Sequence, residues 1–163
     1  MKKINLLIST FFGYGYLTKL PGTVTSFVTT IFIYIAYEYL GYTNLKFSII
    51  FFILLFLYSF YAVKDSESEF KNKDPRQIVI DEVLGQSMPL ILVLYLSQNN
   101  QLSLQIEIYY VLSFIFFRFF DILKPFPVSY FDKNFKNYFG IIMDDIMAGL
   151  YSMILIYIIS LKF

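Results

Sequence analysis

The chain has 163 residues, a net charge of +1, 58% hydrophobic residues and only 15% charged ones, with 20 Phe and 15 Tyr. That length is one domain, and an apolar share above the roughly 45–50% of globular proteins exceeds what a soluble core of this size buries, so the composition points to a membrane protein. The absence of Cys and His excludes thiolate chemistry, Cys-ligated metal and imidazole catalysis, and the near-neutral charge excludes a field for gripping nucleic acid.

The first element, residues 1–12, carries Lys2 and Lys3 ahead of an apolar run. This resembles the start of a signal peptide, but no A-x-A-like cleavage site follows, and a short N-terminal interfacial helix is expected. Five apolar stretches come next, at 24–40, 45–63, 78–96, 106–123 and 141–161, each close to the about 17–25 residues of a bilayer-spanning helix. The third and fifth reach that length only by including Asp81, Glu82, Asp144 and Asp145. The stretch at 64–77 reads as a solvated loop rather than a domain linker. None of the runs has the period of two that a membrane barrel requires. The expected fold is all-α: a polytopic membrane helical bundle of about five helices, forming a single integral-membrane domain over 1–163.

Basic residues set the orientation. Lys2, Lys3, Lys19, Lys64, Lys71, Lys73, Arg76, Lys124, Lys133 and Lys136 fall on one side under this topology, against Lys46 and Lys162 on the other. The N-terminus is therefore placed in the cytoplasm and the C-terminus outside.

Four unusual segments share that cytoplasmic side: Leu20-Pro21-Gly22-Thr23, Asp81-Glu82, the run Arg118, Asp121 and Lys124, and Asp144-Asp145. Charges at the membrane boundary should face one another or water. Arg118, Asp121 and Lys124 are spaced so that neighbours share a helical face, and Pro125 and Pro127 end the helix just beyond them. Simple salt bridging would account for Arg118 with Asp121, but not for two adjacent acidic doublets. Glu38, Glu107, Asp65, Glu67, Glu69 and Asp74 are read as solvated or snorkelling. Clustered carboxylates without His or Cys form a hard-oxygen environment that suits Mg²⁺. Arg118, Lys124 and the nearby helix N-termini suit phosphate oxygens. The residues alone thus point to a Mg²⁺-dependent enzyme acting on a phosphorylated lipid.

The strings GYLTKLPGT at 15–23, IVIDEVLG at 78–85 and RFFDILKPFPVSYFDKNFKNYFGIIMDDIMAG at 118–149 resemble the phosphatidylglycerophosphatase A family. The last follows that family's R-x-x-D-x-x-K-P-x-P, D-K/R-N and G-I-x-x-D-D-x-x-A-G in order, with Asp132-Lys133-Asn134 in the middle. Thr18 stands where the family often has Pro, and Thr25 where it often has Gly; Ser26 is retained. The resemblance implies Mg²⁺-dependent hydrolysis of phosphatidylglycerophosphate to phosphatidylglycerol and inorganic phosphate, at the cytoplasmic face of a bacterial inner membrane. Carried over, it makes Asp121, Asp144 and Asp145 candidate catalytic residues and Asp81, Glu82, Asp144 and Asp145 candidate metal ligands. Thr23, Arg118 and Lys124 become candidate phosphate-binding residues, although Pro21-Gly22-Thr23 could equally serve to shape the start of the first span. The substrate would be a phospholipid in the bilayer, with no nucleic acid involved.

Two rival readings use the same carboxylates. A membrane cation carrier would place acids near the midplane and often shows inverted repeats, whereas here they crowd one end and no repeat is visible. Another Mg²⁺-dependent lipid-phosphate enzyme is the second; the D-G-x-x-A-R motif of a cytidine-diphosphate lipid transferase is absent.

Overall fold

The computed structural model describes residues 2–70 and 75–162. Lys71, Lys73 and Asp74, which entered the reading of the 64–77 loop, lie outside the described residues. Among those described there are seven α-helices and no strand: α1 Lys2–Ser9, α2 Pro21–Tyr34, α3 Leu45–Ser66, α4 Ile80–Gln98, α5 Ile106–Leu123, α6 Val128–Asn134 and α7 Tyr138–Lys162. The all-α expectation holds. The count differs: there are seven, with α1 inside the N-terminal stretch where a short helix was expected and α6 an additional short helix between α5 and α7.

Three helical stretches, Leu45–Glu69, Ile80–Gln98 and Tyr138–Leu161, are long and apolar enough to cross a membrane. The other two expected spans differ for identifiable reasons. α2 passes at Ile35 into a π-helical segment, Ile35–Tyr39, which breaks its regular run. α5 carries Glu107, Arg118 and Asp121 within 18 residues.

α4 is the central helix. It packs against α2, α3, α5 and α7, and Leu84, Leu90, Val93 and Leu96 on it are fully buried. Its crossing with α7 is close because two glycines meet there. A Cβ on Gly85 would lie 2.6 Å from the Asp145 carbonyl oxygen and 2.4 Å from the Phe117 ring. A Cβ on Gly149 would lie 2.5 Å from the Gly85 carbonyl oxygen. Small residues allow such backbone approach between membrane helices. α3 forms the opposite extreme, with Phe47, Ile50, Phe51, Leu54 and Leu57 all exposed, as a lipid-facing helix requires.

α1 is tied to the C-terminal end of α3. Buried Asn5 donates to Asp65 Oδ2 at 2.7 Å and accepts from the Tyr58 hydroxyl at 2.6 Å, while Ser9 and Ser66 hydroxyls meet at 3.1 Å. Asp65 is therefore a partner of Asn5 and not simply solvated. Pairing with a buried amide is a tertiary relation that no local pattern in the 64–77 stretch displays.

Candidate functional site

Local sequence places four chain segments at one end of the bundle. Pro21 occupies the first turn of α2, where its fixed φ and missing N–H suit a helix start. Asp81 and Glu82 fall in the first turn of α4, near the positive end of its dipole. α5 ends at Leu123, and Lys124 caps it in the left-handed region at φ 46°. A non-glycine residue pays a steric cost there, but the following Pro125 disfavours continued helix. Asp144 and Asp145 lie near the start of α7. All four segments line one cavity of about 340 Å³, together with Lys19, Arg76, Asp132 and Lys136.

At the cavity floor, carboxylate oxygens of Asp81, Glu82 and Asp145 lie within 4.8 Å of one another. Asp81 is 8% exposed and Asp145 4%, and neither Asp81 Oδ1 nor Glu82 Oε2 has a hydrogen-bond partner among the described residues. Buried Asp81 and Asp145 beside half-buried Glu82, with two of their oxygens unpaired, are a costly grouping unless a cation joins them. Their all-oxygen donor set could hold a hard divalent ion such as Mg²⁺.

Glu82 reaches this group over Gly22. A Cβ on Gly22 would stand 2.1 Å from Glu82 Oε1 and 3.4 Å from Arg118 Nη1, so α2 contributes an absence of side chain. Arg118 pairs with Asp121 at 2.7 Å and makes a long 3.5 Å contact with the Ser26 hydroxyl. Its buried Nε has no partner, leaving donors to spare in the guanidinium fork.

Lys124 stands between two carboxylates, at 2.7 Å from Asp132 Oδ1 and 2.7 Å from Asp144 Oδ2. Partial burial alone would lower its pKa, but Asp144 and Asp132 outweigh that and hold the ammonium above its ordinary value. Asp132 shows the converse: burial would raise its carboxyl, and the Lys124 hydrogen bond and charge bring it below its usual range. An ammonium has three N–H donors, so one remains for a ligand.

Asp121, Asp144, Asp145, Thr23, Arg118, Lys124, Asp81 and Glu82, the residues singled out from the sequence, thus all border the same space. One grouping differs. Asp144, expected among the metal ligands, is held by Lys124 and by the Asp145 backbone N–H, which donates to its Oδ1 at 3.1 Å. The trio within 4.8 Å consists of Asp81, Glu82 and Asp145. Asp132 entered the sequence reading only as part of a motif. A broken helix separates it from Lys124, and no helical spacing relates the two. Gly22 and Ser26 were likewise read only as parts of motifs.

A family model described as Phosphatidylglycerophosphatase A matches residues 7–160. The chain belongs to the phosphatidylglycerophosphatase A family. It is 35% identical over 165 residues to the Haemophilus influenzae protein of that name, covering 98% of this chain and 94% of the relative. It is 27% identical to the Escherichia coli phosphatidylglycerophosphatase A, over 94% of this chain and 82% of the other. A Bacteroides thetaiotaomicron relative, named "Putative phosphatidylinositol-3-phosphatase", is 34% identical over 93% of this chain and 90% of its own length. No solved structure matches the chain. Membership of the phosphatidylglycerophosphatase A family makes the protein a membrane-associated phosphatase, and nothing found supports the carrier reading.

Proposed function

We propose that the protein hydrolyses the terminal phosphomonoester of phosphatidylglycerophosphate, releasing phosphatidylglycerol and inorganic phosphate, with Mg²⁺ as cofactor. The observation that carries this reading is the cavity itself: the Asp81, Glu82 and Asp145 oxygens within 4.8 Å share it with Arg118 and Lys124 at one end of an apolar bundle. Paired carboxylates and cations in one polar space suit a substrate whose reacting part is a phosphate and whose remainder is hydrocarbon.

Asp81, Glu82 and Asp145 would hold the metal, and the unpartnered oxygens of Asp81 and Glu82 support that fit. Bound there, Mg²⁺ supplies Lewis acidity toward phosphoryl oxygen and water. Arg118 and Lys124 orient the phosphate and stabilise its equatorial oxygens as charge shifts onto them. A carboxylate drawn from Asp121, Asp144 and Asp145 takes a proton from the attacking water. The new P–O bond forms as the bond to the glycerol oxygen breaks, and that oxygen leaves as an alcohol after receiving a proton. Thr23, on the cavity wall at the start of α2, is placed to donate to the phosphate.

The basic residues of the chain support a cytoplasm-facing site in a bacterial inner membrane. α2 with its π-helical continuation and α5 would then be further crossings beside the three apolar helices, and α1, with Ile4 and Leu7 exposed, would lie in the interface. The Bacteroides relative supports a second candidate headgroup, phosphatidylinositol 3-phosphate. Purified protein in detergent, assayed for phosphate release from that lipid, phosphatidylglycerophosphate and phosphatidic acid, with Mg²⁺ or with chelator, tests the reading. Preferential Mg²⁺-dependent release from phosphatidylglycerophosphate is expected; absence of release from it in folded protein would sink the proposal.

A further inference from the structure

The five cations on the cavity wall are of two kinds. Arg118, Lys124 and Lys136 each lie within 4 Å of a carboxylate. Lys19 and Arg76 border the same cavity and are both exposed, with no ion pair among the described residues. The cavity is therefore polarised, with buried Asp81, Asp144 and Asp145 at its floor and two exposed cations, unpaired among the described residues, at its rim.

The segments that carry the two rim cations are in backbone contact. A Cβ on Gly15 would lie 2.0 Å from the Gln77 carbonyl oxygen, so the strand of chain leading to Lys19 lies directly against the one that follows Arg76. The Val79 amide, bonded to the Ser9 carbonyl at 2.9 Å, fixes that second segment further. Leu17 and Leu20 on either side of Lys19 are 70% and 68% exposed. Apolar side chains facing outward beside a lysine are the pattern of a membrane interface, the level at which lipid phosphodiesters sit.

We propose that Lys19 and Arg76 form a second phosphate subsite, which takes the phosphodiester of a two-phosphate lipid headgroup while the terminal phosphomonoester lies between Arg118 and Lys124. This rests on the substrate reading given above and deepens it. A headgroup with two phosphates joined through glycerol satisfies rim and floor together. A lipid with a single phosphomonoester, such as phosphatidic acid, has nothing for the rim cations. A cavity of about 340 Å³ falls within the range of small-molecule sites.

Binding separates this subsite from catalysis. Full-length protein in detergent would be titrated calorimetrically with the deacylated headgroup, glycerophosphoglycerophosphate, and with glycerol 3-phosphate. The wild type is expected to bind the two-phosphate ligand about tenfold or more tightly, a difference of about 1.4 kcal/mol. Lys19→Gln together with Arg76→Gln should bring the two affinities together. Equal weakening of both ligands would mean general charge attraction and overturn the subsite, as would a wild type with no preference. A preference that depends on Lys19 and Arg76, in protein that releases no phosphate from the lipid, would leave the subsite standing and remove the proposed reaction. Both side chains are exposed, and a second measurement covers failure of the double variant to fold. The wild-type preference should shrink as added salt screens the rim, and a preference unmoved by salt would also overturn the proposal.

Discussion

Glu82 Oε1 occupies the space that a side chain on Gly22 would need, with only 2.1 Å between it and the ideal Cβ position. The obstructing atom is the tip of a side chain, so relief comes from moving the carboxylate and not the backbone. Gly22→Ala should leave the bundle folded while displacing Glu82 from Asp81 and Asp145. A displacement of about 1 Å at a reacting site costs on the order of 10²-fold in rate. Phosphate release should fall by about that factor while the melting temperature in detergent moves by a few degrees only. Near-normal turnover would show that Glu82 is not needed where it stands.

Gly85→Ala should behave in the opposite way. Its new Cβ meets the Asp145 carbonyl oxygen at 2.6 Å and the buried Phe117 ring at 2.4 Å, neither of which yields easily. Overpacking of this kind costs about 1–3 kcal/mol. A clear drop in melting temperature and a smaller monodisperse fraction on size exclusion are expected. An unchanged melt would mean that α4 and α7 separate at little cost.

The two adjacent acids of α7 should part company on metal addition. Asp145 belongs to the trio within 4.8 Å, whereas Asp144 is engaged by Lys124 at 2.7 Å. Ligand binding to the folded state raises stability by about 2.7 kcal/mol at a hundredfold excess over Kd. Mg²⁺ should raise the melting temperature of the wild type and of Asp144→Asn, and fail to do so for Asp145→Asn and Asp81→Asn. Loss of the Mg²⁺ shift in Asp144→Asn would instead place that residue among the ligands.

Acidity gives a separate handle on the Lys124 bridge. The Asp132 carboxyl is held below its ordinary value by Lys124 against the opposing effect of burial. Its stabilising contribution is therefore fully present above about pH 4, its value in the unfolded chain, and is lost as pH falls through the lower folded value. Lys124 is held above its ordinary value, so its contribution persists up to about pH 10.4 and declines only as pH rises beyond. Asp132→Asn should lower stability by about 1 kcal/mol or less, evenly from pH 5 to 9. The gap to the wild type should close as the solution is taken below about pH 4. Melting curves followed by circular dichroism across that range would check it, and a gap that widens with acid would contradict the bridge.

How far the sequence discloses this arrangement depends on how local each relation is. Apolar runs and the proline at residue 21 locate the long helices because span length and helix start are properties of contiguous residues. The spacing of Arg118 and Asp121 foretells their ion pair for the same reason. The grouping of Asp81 and Glu82 with Asp145, to the exclusion of Asp144, is different. It depends on the depth and rotation of the α4–α7 crossing, which Gly85 and Gly149 set by lacking side chains. The Lys124–Asp132 contact requires the chain to double back through Pro125 and Pro127. The pairing of Asn5 with Asp65 joins residues 60 positions apart. No periodicity records contacts of that kind.

The α4–α7 crossing also constrains how this chain drifts over generations. Gly85 lies one turn beyond Asp81 and Glu82, and Gly149 one turn beyond Asp145, so the spacing between carboxylates is inherited from two positions that carry no chemistry. A methyl group gained at either glycine would spread the acids apart before any acid had changed. A side chain at either position would therefore have to be matched by a change on the facing helix. The same coupling means that grafting the acids alone onto another helical bundle would transfer the ligands without the ruler that spaces them.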